Sequence, residues 1–89
     1  MSIVKKSRGL MSNEPDYAGA LKRRRTDLGL TQQGVAKRAG IPLQSYQQFE
    51  SGKRSIIRAS FGLACRVLAS LAMDPYMFYH NYNYYFKDK

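Results

Sequence analysis

Apolar side chains return at helical spacing along most of this chain, and glycine or proline cuts the pattern into short runs. Tyr17, Leu21 and Leu28 fall near one face of a segment that Gly29 closes, which predicts a first helix over roughly residues 15–28. Asn13 is its candidate N-cap. Glu14, Pro15 and Asp16 suit the first turn, where the aligned amide dipoles favour acids and proline forfeits no hydrogen bond. Thr31 suits the cap of a second helix that turns Val35, Ala36 and Ala39 inward and stops at Gly40. After a turn of about three residues, Pro42 opens a third helix in which Tyr46 and Phe49 share the buried side and which Gly52 ends. A longer apolar helix is expected over approximately residues 59–72, with Phe61, Ala64, Leu68 and Leu71 on one stripe. Asp74 and Pro75 then mark the start of a fifth.

The two ends follow no such pattern. The opening MSIVKKSRGLMS lacks helical periodicity, so residues 1–13 are expected to be a flexible basic arm. Lys5, Lys6 and Arg8 in it either follow a DNA minor groove or belong to a loose terminus. The closing DPYMFYHNYNYYFKDK carries seven aromatics in sixteen residues, which fit either a helix that lids the core or an extended strand. Residues 14–80 are therefore expected to form the folded unit and residues 81–89 an aromatic tail. At 89 residues one core is expected.

Charge narrows the partners. Fifteen Lys and Arg oppose six Asp and Glu, and residues 1–58 hold twelve of those bases with four of the acids, a balance of +8 out of the total +9. A one-sided positive field draws polyanions, nucleic acid first and an anionic membrane surface second, although charge also serves solubility alone. A membrane-spanning segment is not expected, because no run approaches ~18 apolar residues, and with no apolar leader visible in the opening residues a cytoplasmic location is expected. Cys65 has no second cysteine to pair with and suits burial as a small hydrophobe. His80 has no acid or thiol at metal-ligand spacing, and neither a phosphate-cradling glycine loop nor a nucleophile motif is present. No metal, no cofactor and no enzymatic activity are expected.

The two short helices around Gly40 form a helix-turn-helix pattern. At about 100° per residue, Tyr46 and Phe49 point inward while Gln44, Gln47, Gln48 and Ser51 point outward. Such an amide-rich face is either a solvated surface or a reader of bases, because a glutamine can bond adenine N6 and N7 together in the major groove.

Leu30, Thr31 and Gln32, then Ala36 and Gly40, and the closing Phe49, Glu50, Ser51, Gly52 and Lys53 all occur in register. Their combination resembles the lambda-repressor and Cro type of helix-turn-helix, also called XRE-like, over about residues 17–79. The resemblance implies an all-α domain of five helices that binds double-stranded DNA through helix three. It further implies that Gln32 holds a phosphate at the start of helix two, and that Leu43, Gln44, Ser45 and Gln48 reach base edges. Gln47 joins those readers from its place on the outer face. Ser51, Lys53 and Arg54 would lie along the DNA backbone, and Arg25 would pair with Glu50 to fix helix three against helix one. Of the consecutive Arg23, Arg24 and Arg25, only Arg25 is expected to be structural, since neighbours on a helix cannot all face one partner.

Three positions depart from the family pattern. Gly34 replaces a charged helix former, at a cost of roughly 0.5–1 kcal/mol relative to alanine. Pro42 stands where a capping Ser or Thr is common. Leu43 replaces a polar reader, and either touches a thymine methyl or stands uncommitted at the groove edge. The resulting expectation is a homodimeric repressor binding a two-fold operator, with any small-molecule effector left open. Tyr76, Tyr79, Tyr82, Tyr84, Tyr85 and Phe86 would supply either the dimer interface or a lid. The alternatives are a protein-interaction module on the same fold or an antitoxin-type autoregulator.

Overall fold

The computed structural model describes residues 15–80. The basic arm, the Asn13 cap and the tail at 81–89 lie outside the described residues. Within them α1 (Tyr17–Asp27), α2 (Gln32–Ala39), α3 (Leu43–Ser51) and α4 (Phe61–Ser70) follow in order, with a 3₁₀ turn at Ile56–Arg58 before α4. A fifth helix, α5, occupies 75–80 at the limit of the description. No strand occurs among the described residues, so the fold is all-α.

Every helix but α3 starts where a side chain takes up a free backbone N–H group. Thr31 Oγ1 accepts from Gly34 N–H at 2.9 Å, and Ser60 Oγ accepts from Leu63 N–H at 3.3 Å. Asp16 caps α1 by accepting from Gly19 N–H at 2.9 Å, so the helix begins at Tyr17, two residues later than expected. A Cβ at position 19 would meet the Asp16 carboxylate as it stands in this cap, so any larger residue there would make that side chain shift. Pro42 caps α3 with no side-chain bond.

Three helices end in the same reversal. In α1 the Leu30 and Gly29 amides donate to Arg25 O and Thr26 O, and in α2 the Ile41 and Gly40 amides donate to Ala36 O and Lys37 O. These are Schellman ends, with glycine in the left-handed conformation at φ 72° and 71°. α4 closes likewise, Met73 N–H to Leu68 O and Ala72 N–H to Ala69 O, but with alanine at φ 55° in glycine's place. Two arginines converge there. Arg24 Nε donates to Leu71 O at 2.9 Å and Arg38 Nη1 to Ser70 O at 3.2 Å, which satisfies carbonyls that the helix end leaves open. Arg24 is therefore structural as well as Arg25, because α1 passes beside the end of α4.

The core forms where the helix faces meet. Leu21, Val35, Tyr46, Phe49, Val67 and Leu71 are the largest fully buried side chains. Ile56, on the 3₁₀ turn, and Met73 complete the space beneath them. Phe78 of α5 is buried and meets the ring of Tyr17 at 5.1 Å, while Tyr17 Oη donates to Tyr79 O at 3.0 Å. Residues 75–80 thus close one side of the core as a helix, although Tyr76 and Tyr79 remain exposed.

Two expected core positions lie outside it. Leu28 is 39% exposed, because it is the residue at which α1 ends and the chain leaves the helical face. Phe61 is 78% exposed. It shares its angular position with Leu68, but the stripe is covered only from Leu63 and Ala64 onward, so the first turn of α4 projects beyond its neighbours.

Candidate nucleic-acid interface

The turn between α2 and α3 sets their contact. Gly40 reverses the chain, Ile41 is half-buried against the core, and α3 then lays Tyr46 and Phe49 inward with less than 2% of either exposed. The opposite side of α3 is left open. Gln44 and Gln47 are exposed, Gln48 and Ser45 are half-buried, and Leu43 at the helix start is 38% exposed.

Beyond Gly52, whose φ of 83° turns the chain away from α3, Lys53 and Arg54 are both exposed. Ser51 Oγ donates to Gln48 O at 3.2 Å and accepts from Lys53 N–H at 3.3 Å, and Arg54 N–H donates to Gln48 O at 3.1 Å. These bonds shape the loop. The Arg54 guanidinium lies 4.9 Å from the centre of the Phe49 ring, which holds that charge near the end of α3.

Behind the open face sits Glu50. Its side chain is 4% exposed and accepts on both oxygens. Arg25 donates through Nε at 2.5 Å and Nη2 at 3.1 Å, Tyr46 Oη donates at 2.6 Å, and Gln32 Nε2 donates at 2.9 Å. Arg25 Nη1 also donates to Leu30 O at 2.9 Å. One carboxylate thus ties α1, α2 and α3 together. Burial by itself would push its pKa up, but the bonds from Arg25, Tyr46 and Gln32 outweigh that and hold it below the ordinary glutamate value. Burial first, and then the bond to this carboxylate, push the Tyr46 phenol well above its ordinary value, so Tyr46 stays a donor.

Gln32 is held in this network and not directed outward alone. Its Oε1 accepts from Gln47 Nε2 at 3.1 Å, so Gln47 is tied to α2 while Gln44 is not. Sequence reasoning treated Tyr46 as a purely apolar core residue and missed its hydroxyl. The signal was present, since Tyr46 and Glu50 stand four apart and therefore adjacent on one helix face.

The sequence pattern of the helix-turn-helix family matches residues 21–59, from within α1 to the end of the 3₁₀ turn. This segment is a helix-turn-helix of the XRE, lambda-repressor type. The match spans both helices of the motif and includes Arg25, Glu50 and every outward residue of α3. The helix-turn-helix is a DNA-binding element of transcriptional regulators, a regulatory class and not typically an enzymatic one. No curated protein and no solved structure matches the chain. No described helix is long and apolar enough to cross a membrane.

Proposed function

We propose that the protein is a sequence-specific regulator that places α3 in the major groove of a two-fold DNA operator and acts as a repressor. The observation that carries this reading is the amide-covered outer face of α3, standing beside the cationic loop of Lys53 and Arg54. Leu43, Gln44, Ser45, Gln47 and Gln48 are the base-reading set. Gln32, Ser51, Lys53 and Arg54 are the phosphate set, and Gln32 still has one amide N–H beyond the one given to Glu50. Phosphate contacts set register and affinity, and base contacts carry sequence. Repression follows when the operator overlaps a promoter, because bound protein excludes polymerase.

Binding to a two-fold site calls for a homodimer, with recognition helices about 34 Å apart. Tyr76 and Tyr79 are exposed aromatics of the kind that interfaces bury, and they support a dimer through α5. In vitro selection from random duplex DNA, followed by gel shift at fixed salt, tests the reading. A single palindromic consensus is expected; uniform binding of all sequences would reduce the protein to a non-specific polycation binder. Sedimentation of the full chain with Tyr76 and Tyr79 both changed to serine should show loss of dimer, and an unchanged mass would move the interface elsewhere.

A further inference from the structure

The chain passes from α4 to α5 through residues 71–74, and Ala72 stands at the bend with φ 55°. Glycine takes the corresponding place at the ends of α1 and α2 and reaches that conformation freely, whereas alanine reaches it under strain. Arg24 on α1 grips this bend from both sides. Its Nε donates to Leu71 O at 2.9 Å and its Nη2 to Ala72 O at 3.4 Å. Those carbonyls belong to the peptide planes before and after Ala72, and φ and ψ of Ala72 are the only soft torsions between the two planes. A planar guanidinium that engages both therefore fixes the angle at which the chain turns. No slack follows the bend, because Met73 is buried and Asp74 Oδ2 accepts from Met77 N–H at 3.0 Å to start α5.

α1 holds α5 a second time. Tyr17 Oη donates to Tyr79 O at 3.0 Å, and the Tyr17 ring meets that of Phe78 at 5.1 Å. Positions 17, 21 and 24 share one helix face, with Leu21 fully buried between the two polar holds. One stripe of α1 thus sets both the entry and the far end of α5. The next residue, Arg25, turns instead to Glu50 of α3. α1 is the strut between the outward-reading helix and the exposed Tyr76 and Tyr79.

We infer that Arg24 is a positioning residue for operator geometry: by fixing the torsions of Ala72 it sets the direction of α5, and with it the separation and angle of the two recognition helices across the two-fold axis. The inference rests on the dimer through α5 proposed above. It adds that half-site spacing is decided by a side chain outside both the base-reading set and the aromatic face. One added base pair moves the second half-site by about 3.4 Å and turns it by about 34°, a change that a rigidly held α5 does not absorb.

Gel shifts are run on the selected palindrome and on versions whose spacer is one base pair longer or shorter. The proteins are the parent, Arg24→Met, Arg24→Lys and Tyr17→Phe, each at a temperature where circular dichroism shows it folded. The parent should prefer its own spacing by about tenfold or more. Arg24→Met should reduce that preference to about threefold or less and leave the base preferences within each half-site unchanged. Arg24→Lys keeps the charge without the planar fork, so it carries the same expectation should the methionine variant not fold. Tyr17→Phe, which removes only the far hydrogen bond, should fall between. An arginine that merely stabilises the fold would lower the melting temperature and leave the spacing preference intact, and that result overturns the inference, as does a parent that accepts all three spacings alike. A parent that selects no palindrome, or stays monomeric in sedimentation, overturns the dimer reading itself.

Discussion

Replacing Glu50 with alanine removes the acceptor for Arg25 Nε and Nη2, Tyr46 Oη and Gln32 Nε2 at once. What remains is a guanidinium whose side chain is 13% exposed, with Leu30 O as its remaining acceptor among the described residues, and a phenol hydroxyl in the core. Stripping one partner from a buried ion pair costs about 3–5 kcal/mol. Arg25 keeps its bond to Leu30 O and some access to water, so the low end of that range, about 3 kcal/mol, applies here. A small domain has only about 5–15 kcal/mol in total. The expected fall in melting temperature is thus roughly 10–25 °C. Thermal unfolding followed by circular dichroism measures it, with Asp27→Ala, an exposed change at the end of α1, as the control. The control should move by no more than about 0.5 kcal/mol. If Glu50→Ala unfolds within a few degrees of it, the carboxylate does not hold the three helices together and the reasoning fails.

Acid should act through the same group. The folded Glu50 pKa lies below the ordinary value, so its contribution is present above the unfolded pKa of about 4.3 and is lost as the pH falls toward the folded value. Denaturation below pH ~4 should be much shallower in Glu50→Gln than in the parent, and identical acid profiles would count against it. Ala72→Gly should raise stability by about 0.5–1 kcal/mol, since the left-handed turn at φ 55° strains any Cβ and the bond from Met73 to Leu68 is backbone; a lower melting temperature would refute this. On DNA, Gln44→Ala should cost roughly 1–3 kcal/mol on the selected site and little on random duplex. Lys53→Ala should weaken both alike and lower the salt slope by about one. Equal losses for the two variants on both DNAs would remove the division between base and phosphate contacts.

Helix ends were legible in this sequence because they are decided within a few residues. Thr31 caps through an amide three residues on, and Gly29, Gly40 and Gly52 take the left-handed turn that other residues resist. Val35, Ala36, Ala39, Tyr46 and Phe49 could be placed inside by period alone, and the register from Thr31 to Lys53 carried the family. Period could not tell how far a neighbour extends, and so Phe61 was placed in a core that ends one turn short of it. Nor could it say where polar side chains end. Arg24 finds carbonyls 47 and 48 residues away, and Gln32 finds a carboxylate 18 residues away. A guanidinium or an amide has no preferred partner in its own helix turn. Its partner is whichever open carbonyl or buried carboxylate the packing of the apolar faces brings beside it, and that packing exists only in the folded chain.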